Sequence, residues 1–231
     1  MKIEIKDDTM NDIKHYFTDM SDGNLAYHVN DKKSNVDFNR KKLAKKLNYN
    51  NDNLVYMDQV HGKNVVIVDE NSPKLIENCD GIITASKNLP LMVMVADCIP
   101  ILIFDKNKGV IAAVHAGRNS TFLKIVQETV HKMIDKFECD VKDIQVIMGP
   151  SIQKCCYEVS KELEDIVINT FGKRFTSNGY IDLQSINKHQ LQELGVDNIT
   201  IYSTCTKCSN EPYYSYRKDK NCGRFAGVIM Q

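Results

Sequence analysis

The sequence has no tryptophan, and only 5 prolines and 11 glycines occur among its 231 residues. So few glycines and prolines exclude a collagen-like or low-complexity chain, and no proline-rich or glycine-serine segment marks a linker between domains. We find no internal repeat. Hydrophobic residues make up 42% of the chain and charged residues 26%, which is typical of a folded globular protein. We therefore interpret residues 1–231 as a single domain.

An excess of charge of one sign is also absent, because 30 basic side chains balance 30 acidic ones. This balance argues against a nucleic-acid partner whose binding depends on neutralising phosphates. The apolar run at residues 91–96 stops at Asp97 and is far shorter than the roughly 18 residues of a membrane span. The N-terminus shows no apolar segment of a secretory signal. We expect a cytoplasmic protein with neither a nucleic-acid nor a membrane partner.

Cysteine, in contrast, is abundant, with eight residues. In a reducing compartment, thiols serve as metal ligands, nucleophiles or packing residues more often than as disulfides. Cys205 and Cys208 have the spacing of a zinc knuckle, but such a site needs a second pair of ligands. Cys222 is the nearest candidate along the chain, and Cys155-Cys156 is the alternative. We favour free thiols over a structural zinc site here. Two further cysteines are interpreted as packing residues, Cys79 and Cys139.

Short aliphatic or β-branched segments, separated by glycine, proline, asparagine or aspartate, predict strands. They cover residues 54–60, 63–68, 81–84, 91–96, 100–104, 110–115, 144–148, 199–202, 213–216 and 225–230. Apolar residues at three-and-four spacing predict a long helix at residues 122–137, with Asn119 or Ser120 as its N-cap. Further helices are predicted from Ser34 and at residues 161–170 and 183–194. Because strands and helices do not alternate strictly, we predict an α+β fold, a single layered domain with mixed sheets flanked by helices.

Three of the predicted strands end in or next to a metal-binding side chain, namely His61, Cys98 and His115. These residues are too far apart in sequence for a local zinc knuckle, but strand ends can converge on one cleft. Two imidazoles and a thiolate suit Zn²⁺ and leave a fourth position open for water or substrate, as in catalytic zinc sites. The alternative is that each residue is an ordinary core or surface side chain.

Arg118 follows His115 at the predicted start of a helix. A helix N-terminus presents unpaired N–H groups, and a guanidinium is a fork-shaped donor, so the pair predicts an anion site suited to phosphate. A solvated loop arginine is the alternative interpretation. Farther along, Tyr213-Tyr214-Ser215-Tyr216-Arg217 is an aromatic cluster that either stacks on a base or fills a sheet face.

Many short motifs, in order along the chain, resemble the YfiH-type family, whose members carry laccase-domain or multicopper polyphenol oxidase names. The motifs are Asn39-Arg40, Gln59-Val60-His61-Gly62, Cys79-Asp80-Gly81 with Thr84, Ala96-Asp97-Cys98-Ile99-Pro100, His115-Ala116-Gly117, Gly149-Pro150-Ser151-Ile152, Cys156-Tyr157-Glu158-Val159, Cys205-Thr206, Ser215-Tyr216-Arg217 and Gly223-Arg224. One departure lies after Gly117, where the family usually has tryptophan, a basic residue and glycine. Arg118, Asn119 and Ser120 stand there instead.

The resemblance implies a mononuclear zinc held by His61, Cys98 and His115. It also implies phosphorolysis of adenosine, inosine or methylthioadenosine to the base and ribose 1-phosphate, together with adenosine deamination. The small-molecule partners are then a purine nucleoside and phosphate. We assign substrate or phosphate binding to four residues, Arg40, Gln59, Arg118 and Arg217. Asp80 and Asp97 are the candidate catalytic acids, as proton relays or as residues that orient a histidine ligand.

Several other functions compete with this interpretation. Copper-dependent phenol oxidation is disfavoured because multicopper chemistry needs many histidine ligands, and the chain has six histidines in all. A cysteine hydrolase would use Cys98 as nucleophile and His115 as base. The resemblance also implies a role in peptidoglycan-precursor editing for some bacterial members. A zinc-stabilised module that binds a protein partner is the non-enzymatic alternative.

Overall fold

The structure is a computed structural model that describes residues 13–231. The N-terminal segment, on which the expectation of no secretory signal depends, lies largely outside these residues. The strands are β1 Lys14–Phe17, β2 Val55–Met57, β3 Val65–Ile67, β4 Leu75–Ile76, β5 Gly81–Thr84, β6 Leu91–Val95, β7 Ile99–Asp105, β8 Val110–Ala116, β9 Ile144–Met148, β10 Thr176–Ser177, β11 Tyr180–Ile181, β12 Ile199–Ile201 and β13 Phe225–Met230. The α-helices are α1 Lys33–Leu47, α2 Arg118–Phe122, α3 Ile125–Phe137, α4 Lys161–Thr170 and α5 Leu183–Gln192. Short 3₁₀ turns cover Met20–Asp22, Asn51–Asn53 and Lys173–Phe175.

Two mixed sheets pack face to face between two layers of helix. The five-stranded sheet has the order β1-β13-β6-β2-β4, and the six-stranded sheet has the order β12-β9-β7-β8-β5-β3. The inner core joins β6 and β13 of the first sheet to β7 and β8 of the second. Helix α1 covers the outer face of the first sheet, and α3, α4 and α5 cover the second. This arrangement confirms the predicted mixed sheets flanked by helices.

The central strands are predictable because both of their faces are buried. In β6, Leu91, Val93 and Val95 enter the core between the sheets, while Met92 and Met94 enter the core under α1. Every residue of β7 and β8 is likewise buried. A strand buried on both sides reads as a continuous apolar run rather than as an alternating one.

The structure corrects three local predictions. The helix expected at residues 122–137 is two helices, because Lys124 adopts a left-handed φ of 60° between α2 and α3. Its predicted caps are wrong as well, since α2 begins after Gly117 with no side-chain cap. Residues 213–216 form no strand; Tyr213 and Tyr214 pack their rings against the inner core, and their backbones do not pair in a sheet. Strands β1, β4, β10 and β11 were not predicted from the sequence.

Connections between the two sheets converge on one edge of the sandwich. The chain passes from the five-stranded to the six-stranded sheet between β2 and β3, between β4 and β5, and between β6 and β7. These crossings carry His61, Asp80 and Cys98, respectively. Within residues 13–231, no helix is both long enough and apolar enough to cross a membrane.

Candidate active site

His61, Cys98 and His115 lie together, as the sequence predicts. One potential ligand atom from each residue lies within 4.8 Å of the other two, and His61 Nε2 is 3.9 Å from Cys98 Sγ. The two imidazole rings meet edge to face, with centroids 4.7 Å apart. His115 is buried, Cys98 is half-buried and His61 is exposed, so the cluster opens to solvent on the His61 side.

The backbone around these residues adopts uncommon conformations. His61 has a φ of 59°, and Asp97, directly before Cys98, has a φ of 92°. Non-glycine residues seldom adopt positive φ, and such residues concentrate at functional sites. Gly117 leaves room for the cluster, because a Cβ at this position would lie 2.9 Å from His61 Cδ2 and 3.0 Å from Cys98 Sγ. The backbone conformation here therefore allows the side chains of His61, Cys98 and His115 to approach one another.

Asp80 organises the cluster from beneath. Its buried carboxylate accepts a hydrogen bond from His115 Nδ1 at 2.7 Å. It also accepts the backbone N–H groups of Val60, His61 and Gly62, at 3.2, 2.9 and 2.6 Å. One carboxylate thus holds the His61 loop in place and turns Nε2 of His115 away from Asp80.

The charges of the cluster reinforce one another. Burial opposes a thiolate at Cys98, but the charge of His115 and hydrogen bonds from both histidines outweigh burial and lower the thiol pKa to about 6. Burial would also lower the pKa of His115, but the Cys98 and Asp80 anions raise it to about 9. Burial likewise opposes ionisation of Asp80, yet the hydrogen bonds from His115 and Gly62 keep its pKa below the ordinary value.

This donor set fits a divalent transition metal. A tetrahedral zinc ion, with bonds of about 2.0–2.3 Å, places neighbouring ligand atoms about 3.3–3.8 Å apart, so a small contraction of the cluster would suffice. The Asp80 carboxylate at His115 Nδ1 fixes the tautomer that leaves Nε2 free to coordinate. A carboxylate is a usual hydrogen-bond partner of a metal-bound histidine. Three protein ligands leave a position for substrate or water, as in catalytic rather than structural sites.

A cleft of about 440 Å³ lies over the cluster. Gln59 lines it and pairs with the backbone of Met94, accepting from its N–H at 2.9 Å and donating to its carbonyl at 2.7 Å. Tyr157 and Tyr216 form further walls. A cleft of about 590 Å³ elsewhere is lined by asparagines, lysines and apolar side chains, with no histidine, cysteine or acidic side chain.

Asp97 lies in the same cleft, but both of its carboxylate oxygens are engaged. Oδ1 accepts from the Thr206 hydroxyl at 2.7 Å, and Oδ2 accepts from the backbone N–H of Arg217 at 2.7 Å. Asp97 therefore anchors the two C-terminal segments that carry Thr206 and Arg217 beside Cys98.

Two of the three predicted arginines, Arg118 and Arg217, lie at the site. Arg217 lines the cleft, donates to the Glu158 carbonyl at 3.0 Å and lies over the Tyr157 ring. Arg118 is exposed in an adjoining cleft of about 480 Å³, which Arg217 and Tyr157 also line. Because α2 has only five residues, the guanidinium of Arg118 is a stronger anion ligand than the helix terminus.

Arg40 is not brought to the cleft. It is buried, with its guanidinium 4.3 and 4.1 Å from the ring centroids of Tyr27 and Tyr56. It donates to the Leu25 carbonyl at 2.9 Å and contacts the sulfur of Met94. These contacts tie α1 to the sheet behind Met94, and no phosphate role follows from them.

Four charged or aromatic residues of the cleft were not assigned to it from the sequence, namely His28, Tyr157, Tyr216 and Arg224. Three of them stand inside the short motifs that resemble the YfiH-type family, so the motif match was the available signal. Of the three tyrosines in the aromatic cluster, Tyr216 is the one that lines the cleft, with 47% of its surface exposed. Tyr213 and Tyr214 pack on the core, as in the sheet-filling alternative, and base stacking stays a prediction for Tyr216.

Comparison with known proteins places this geometry in a family. The family model described as "Multi-copper polyphenol oxidoreductase laccase" matches residues 15–231. A purine nucleoside phosphorylase of Mycobacterium tuberculosis is 34% identical over 210 residues, which are 89% of this chain and 83% of that protein. One of Campylobacter jejuni is 36% identical over 178 residues, 76% of each chain.

Solved structures agree with these sequence matches. The hypothetical protein YfiH of Bacillus licheniformis superposes with a TM-score of 0.88 at 26% identity, covering 95% of this chain and 93% of that one. The protein YlmD of Geobacillus stearothermophilus gives a TM-score of 0.83 at 29% identity, covering 90% and 84%.

Proposed function

Because this chain belongs to the laccase-like YfiH family, some of whose members are named purine nucleoside phosphorylases, we propose that it is a zinc-dependent enzyme of that kind. Its substrates would be adenosine, inosine and methylthioadenosine with phosphate, and it would also deaminate adenosine. The observation that carries the proposal is the His61, Cys98 and His115 cluster, braced by Asp80 and open to a cleft beside two arginines.

The metal would be held by His61 Nε2, Cys98 Sγ and His115 Nε2. Zinc with an open coordination position supplies a Lewis acid that polarises an oxygen at neutral pH. The chain has to deliver the ligands deprotonated, and the lowered pKa of Cys98, about 6, provides the thiolate. His115 must release its Nε2 proton on binding, while its Nδ1 proton stays on the ring and is donated to Asp80.

Phosphorolysis requires a phosphate next to the ribose. A phosphate oxygen attacks C1′ as the bond from C1′ to the base nitrogen breaks, and the base leaves with the electron pair and takes up a proton. Arg118 and Arg217 line the adjoining cleft and would hold the phosphate dianion by charge-assisted hydrogen bonds. The exposed ring of Tyr216 offers a face for the purine.

Tyr157 lies between the two clefts and is suited to supply a proton. Burial raises the pKa of its phenol, and although the arginine charges oppose this, the hydroxyl remains protonated at neutral pH. Asp80 and Asp97 are better suited to positioning, since the hydrogen bonds described above occupy their oxygens. Asp80 orients His115, and Asp97 orients the segment that carries Arg217.

The test is turnover of adenosine, inosine and methylthioadenosine by zinc-loaded protein, with and without phosphate, followed by chromatography. We expect the free base and ribose 1-phosphate, or its 5-methylthio derivative from methylthioadenosine, only when phosphate is present, and inosine from adenosine in its absence. The matched control is His115→Ala, which removes one proposed ligand. Absence of turnover of all three nucleosides by protein with a loaded site would reject the proposal.

A cysteine hydrolase is the second candidate, because the lowered pKa of Cys98 beside His115 is also what a thiolate nucleophile requires. A thiolate cannot be a zinc ligand and a free nucleophile during the same turnover. Activity that survives complete removal of metal by a chelator would favour the hydrolase. Loss on chelation with recovery on addition of zinc would favour the phosphorylase.

A further inference from the structure

A second group of sulfur atoms lies outside the cleft. The Sγ atoms of Cys155, Cys156, Cys205 and Cys208 all fall within 4.8 Å of one another, and Cys155 and Cys208 are 3.5 Å apart. Cys205 is buried, Cys156 is half-buried, and the other two are exposed. The sequence pointed to Cys222 as the nearest partner of the Cys205-Cys208 pair, but the fold brings Cys155 and Cys156 there instead. Cys222 contacts Arg224.

The parallel pairing of β9 and β12 brings the four residues together. Met148 of β9 is in register with Ile201 of β12, and the two loops that follow these strands continue side by side. Ser151 forms a bridge with Cys205 and accepts the N–H of Thr206 at 3.0 Å. Met148 and Ile201 are 53 residues apart and Ser151 and Cys205 are 54 apart, so the pairing shifts by one residue where the strands pass into the loops. The cluster therefore follows from the parallel course of the two segments.

The geometry is that of a tetrahedral four-sulfur site. Zinc–sulfur bonds of about 2.3 Å in a tetrahedron place the sulfur atoms about 3.8 Å apart, which the observed separations bracket. Backbone N–H groups of Gln153, Lys207 and Cys208 interact with the sulfur of Cys205. Such N–H donors stabilise a metal-bound thiolate.

The charges of neighbouring lysines and the weakness of a disulfide alternative both favour a metal ion at this cluster. Zinc with four thiolates carries a net charge of about −2, and Lys154 and Lys207 directly precede two of the ligands in the chain. One disulfide between Cys155 and Cys208 would use two of the four thiols and leave the other two unexplained. A metal ion uses all four.

We propose that Cys155, Cys156, Cys205 and Cys208 bind a structural Zn²⁺ that is separate from the site in the cleft. All four positions of a tetrahedral ion are then filled by protein, so this ion has no open position for substrate. It fastens together the two loops that follow β9 and β12. Tyr157 comes directly after Cys156 and Thr206 directly after Cys205, so the ion would set the cleft wall and the partner of Asp97.

The test is the zinc content of full-length protein purified under reducing conditions. We expect two equivalents in the native chain and in Cys139→Ala, the control for loss of a buried cysteine that belongs to neither cluster. His61→Ala/Cys98→Ala should retain one equivalent, and so should Cys205→Ser/Cys208→Ser. The retained metal should differ between the two double variants.

X-ray absorption identifies the ligands of the metal that remains. In His61→Ala/Cys98→Ala we expect a first shell of four sulfur atoms, and in Cys205→Ser/Cys208→Ser a mixed nitrogen and sulfur shell. If the second of these variants fails to fold, the first still decides the matter. Absence of zinc from native protein, loss of all zinc from His61→Ala/Cys98→Ala, or a nitrogen shell in that variant would overturn the proposal. One equivalent in native protein with a shell of four sulfur atoms would support this site and reject zinc in the cleft instead. A failure of nucleoside turnover would not affect these counts.

Discussion

The two sulfur-containing clusters of this molecule are built on different kinds of support. His61, Cys98 and His115 occupy the ends of buried strands and their crossings, and Asp80 fixes them from below. The four cysteines of the second cluster lie on two surface loops, with the neighbouring thiols as their main partners. The rigid core fixes the orientation of the first cluster but supplies only three ligands. The two loops bring together four cysteines, a complete tetrahedral set.

Under the two proposals, this difference separates a catalytic metal centre from a structural one. A catalytic metal needs an open position and ligands that do not move, so the core has to hold them. A structural metal closes its own coordination sphere and can organise flexible loops. Variants that affect one cluster and leave the other intact therefore test the comparison.

The largest effect is expected from His115→Ala. Loss of this ligand removes the metal from the cleft, and we expect nucleoside turnover to fall about a thousandfold, since a metal's electrostatic contribution is several kcal/mol. Zinc analysis should show loss of one equivalent while the four-cysteine cluster keeps its own. Turnover near the native value in a variant that has lost the cleft metal would contradict the assignment.

Asp80→Asn should have the next largest effect. The amide cannot accept all four hydrogen bonds that the carboxylate accepts, so His115 and the His61 loop lose their orientation. We expect metal affinity and kcat/KM to fall about 10- to 100-fold, measured by metal competition and kinetics. Asp105→Asn is the matched control, because Asp105 is a buried carboxylate at the far end of β7 from Cys98. An equal loss of metal affinity in both variants would argue for a general effect on folding.

Gly117→Ala tests how tightly the cluster is packed. The added Cβ would lie 2.9 Å from the ring of His61 and 3.0 Å from Cys98 Sγ, so one of them has to shift. We expect about a tenfold loss of metal affinity in competition titrations, since changes to residues that only contact a metal ligand cost that much. Gly62→Ala is the comparison, because its Cβ would meet Asp80 at an ordinary 3.5 Å and should cost less. The reverse order would contradict this packing.

Arg118→Ala should produce the smallest effect and should leave both metal sites occupied. Loss of a charged hydrogen bond to phosphate is worth about 1.5–3 kcal/mol, but the exposure of Arg118 brings the expected rise in KM for phosphate to about tenfold. The KM for the nucleoside should change little. Arg174→Ala controls for loss of an exposed arginine, since Arg174 packs on Phe175 instead. A rise only in the KM for the nucleoside would assign Arg118 to the other substrate.

Much of the fold is visible in the sequence because buried strands have a simple pattern. Strands β6, β7 and β8 are apolar runs, since both of their faces are covered. The interruption between α2 and α3 was not predicted, because lysine is not a residue type that signals a left-handed backbone conformation, which Lys124 adopts. Tyrosine favours strands, which led to the prediction at residues 213–216. Tyr213 and Tyr214 instead pack their rings in the inner core, and their backbones do not pair in a sheet.

The site was predictable where strand ends converge and less so where the fold redirects a side chain. The proximity of His61, Cys98 and His115 was predicted from the strand ends near which they lie. Arg40 is basic and lies in a matching motif, but the rings of Tyr27 and Tyr56 take up its guanidinium. The partners of Cys205 could not be predicted, because the register between β9 and β12 is a long-range property.

The crossings between the sheets have a mechanical consequence. His61, Asp80 and Cys98 sit on the segments that stitch one sheet to the other, while His115 belongs to the six-stranded sheet itself. An ion bound by His61, Cys98 and His115 would link the two sheets at this edge of the sandwich. Sliding of one sheet against the other would pull its ligands apart. Substitutions deep between the sheets, far from any substrate, should therefore loosen the metal, and the metal should in turn resist shear of the two sheets.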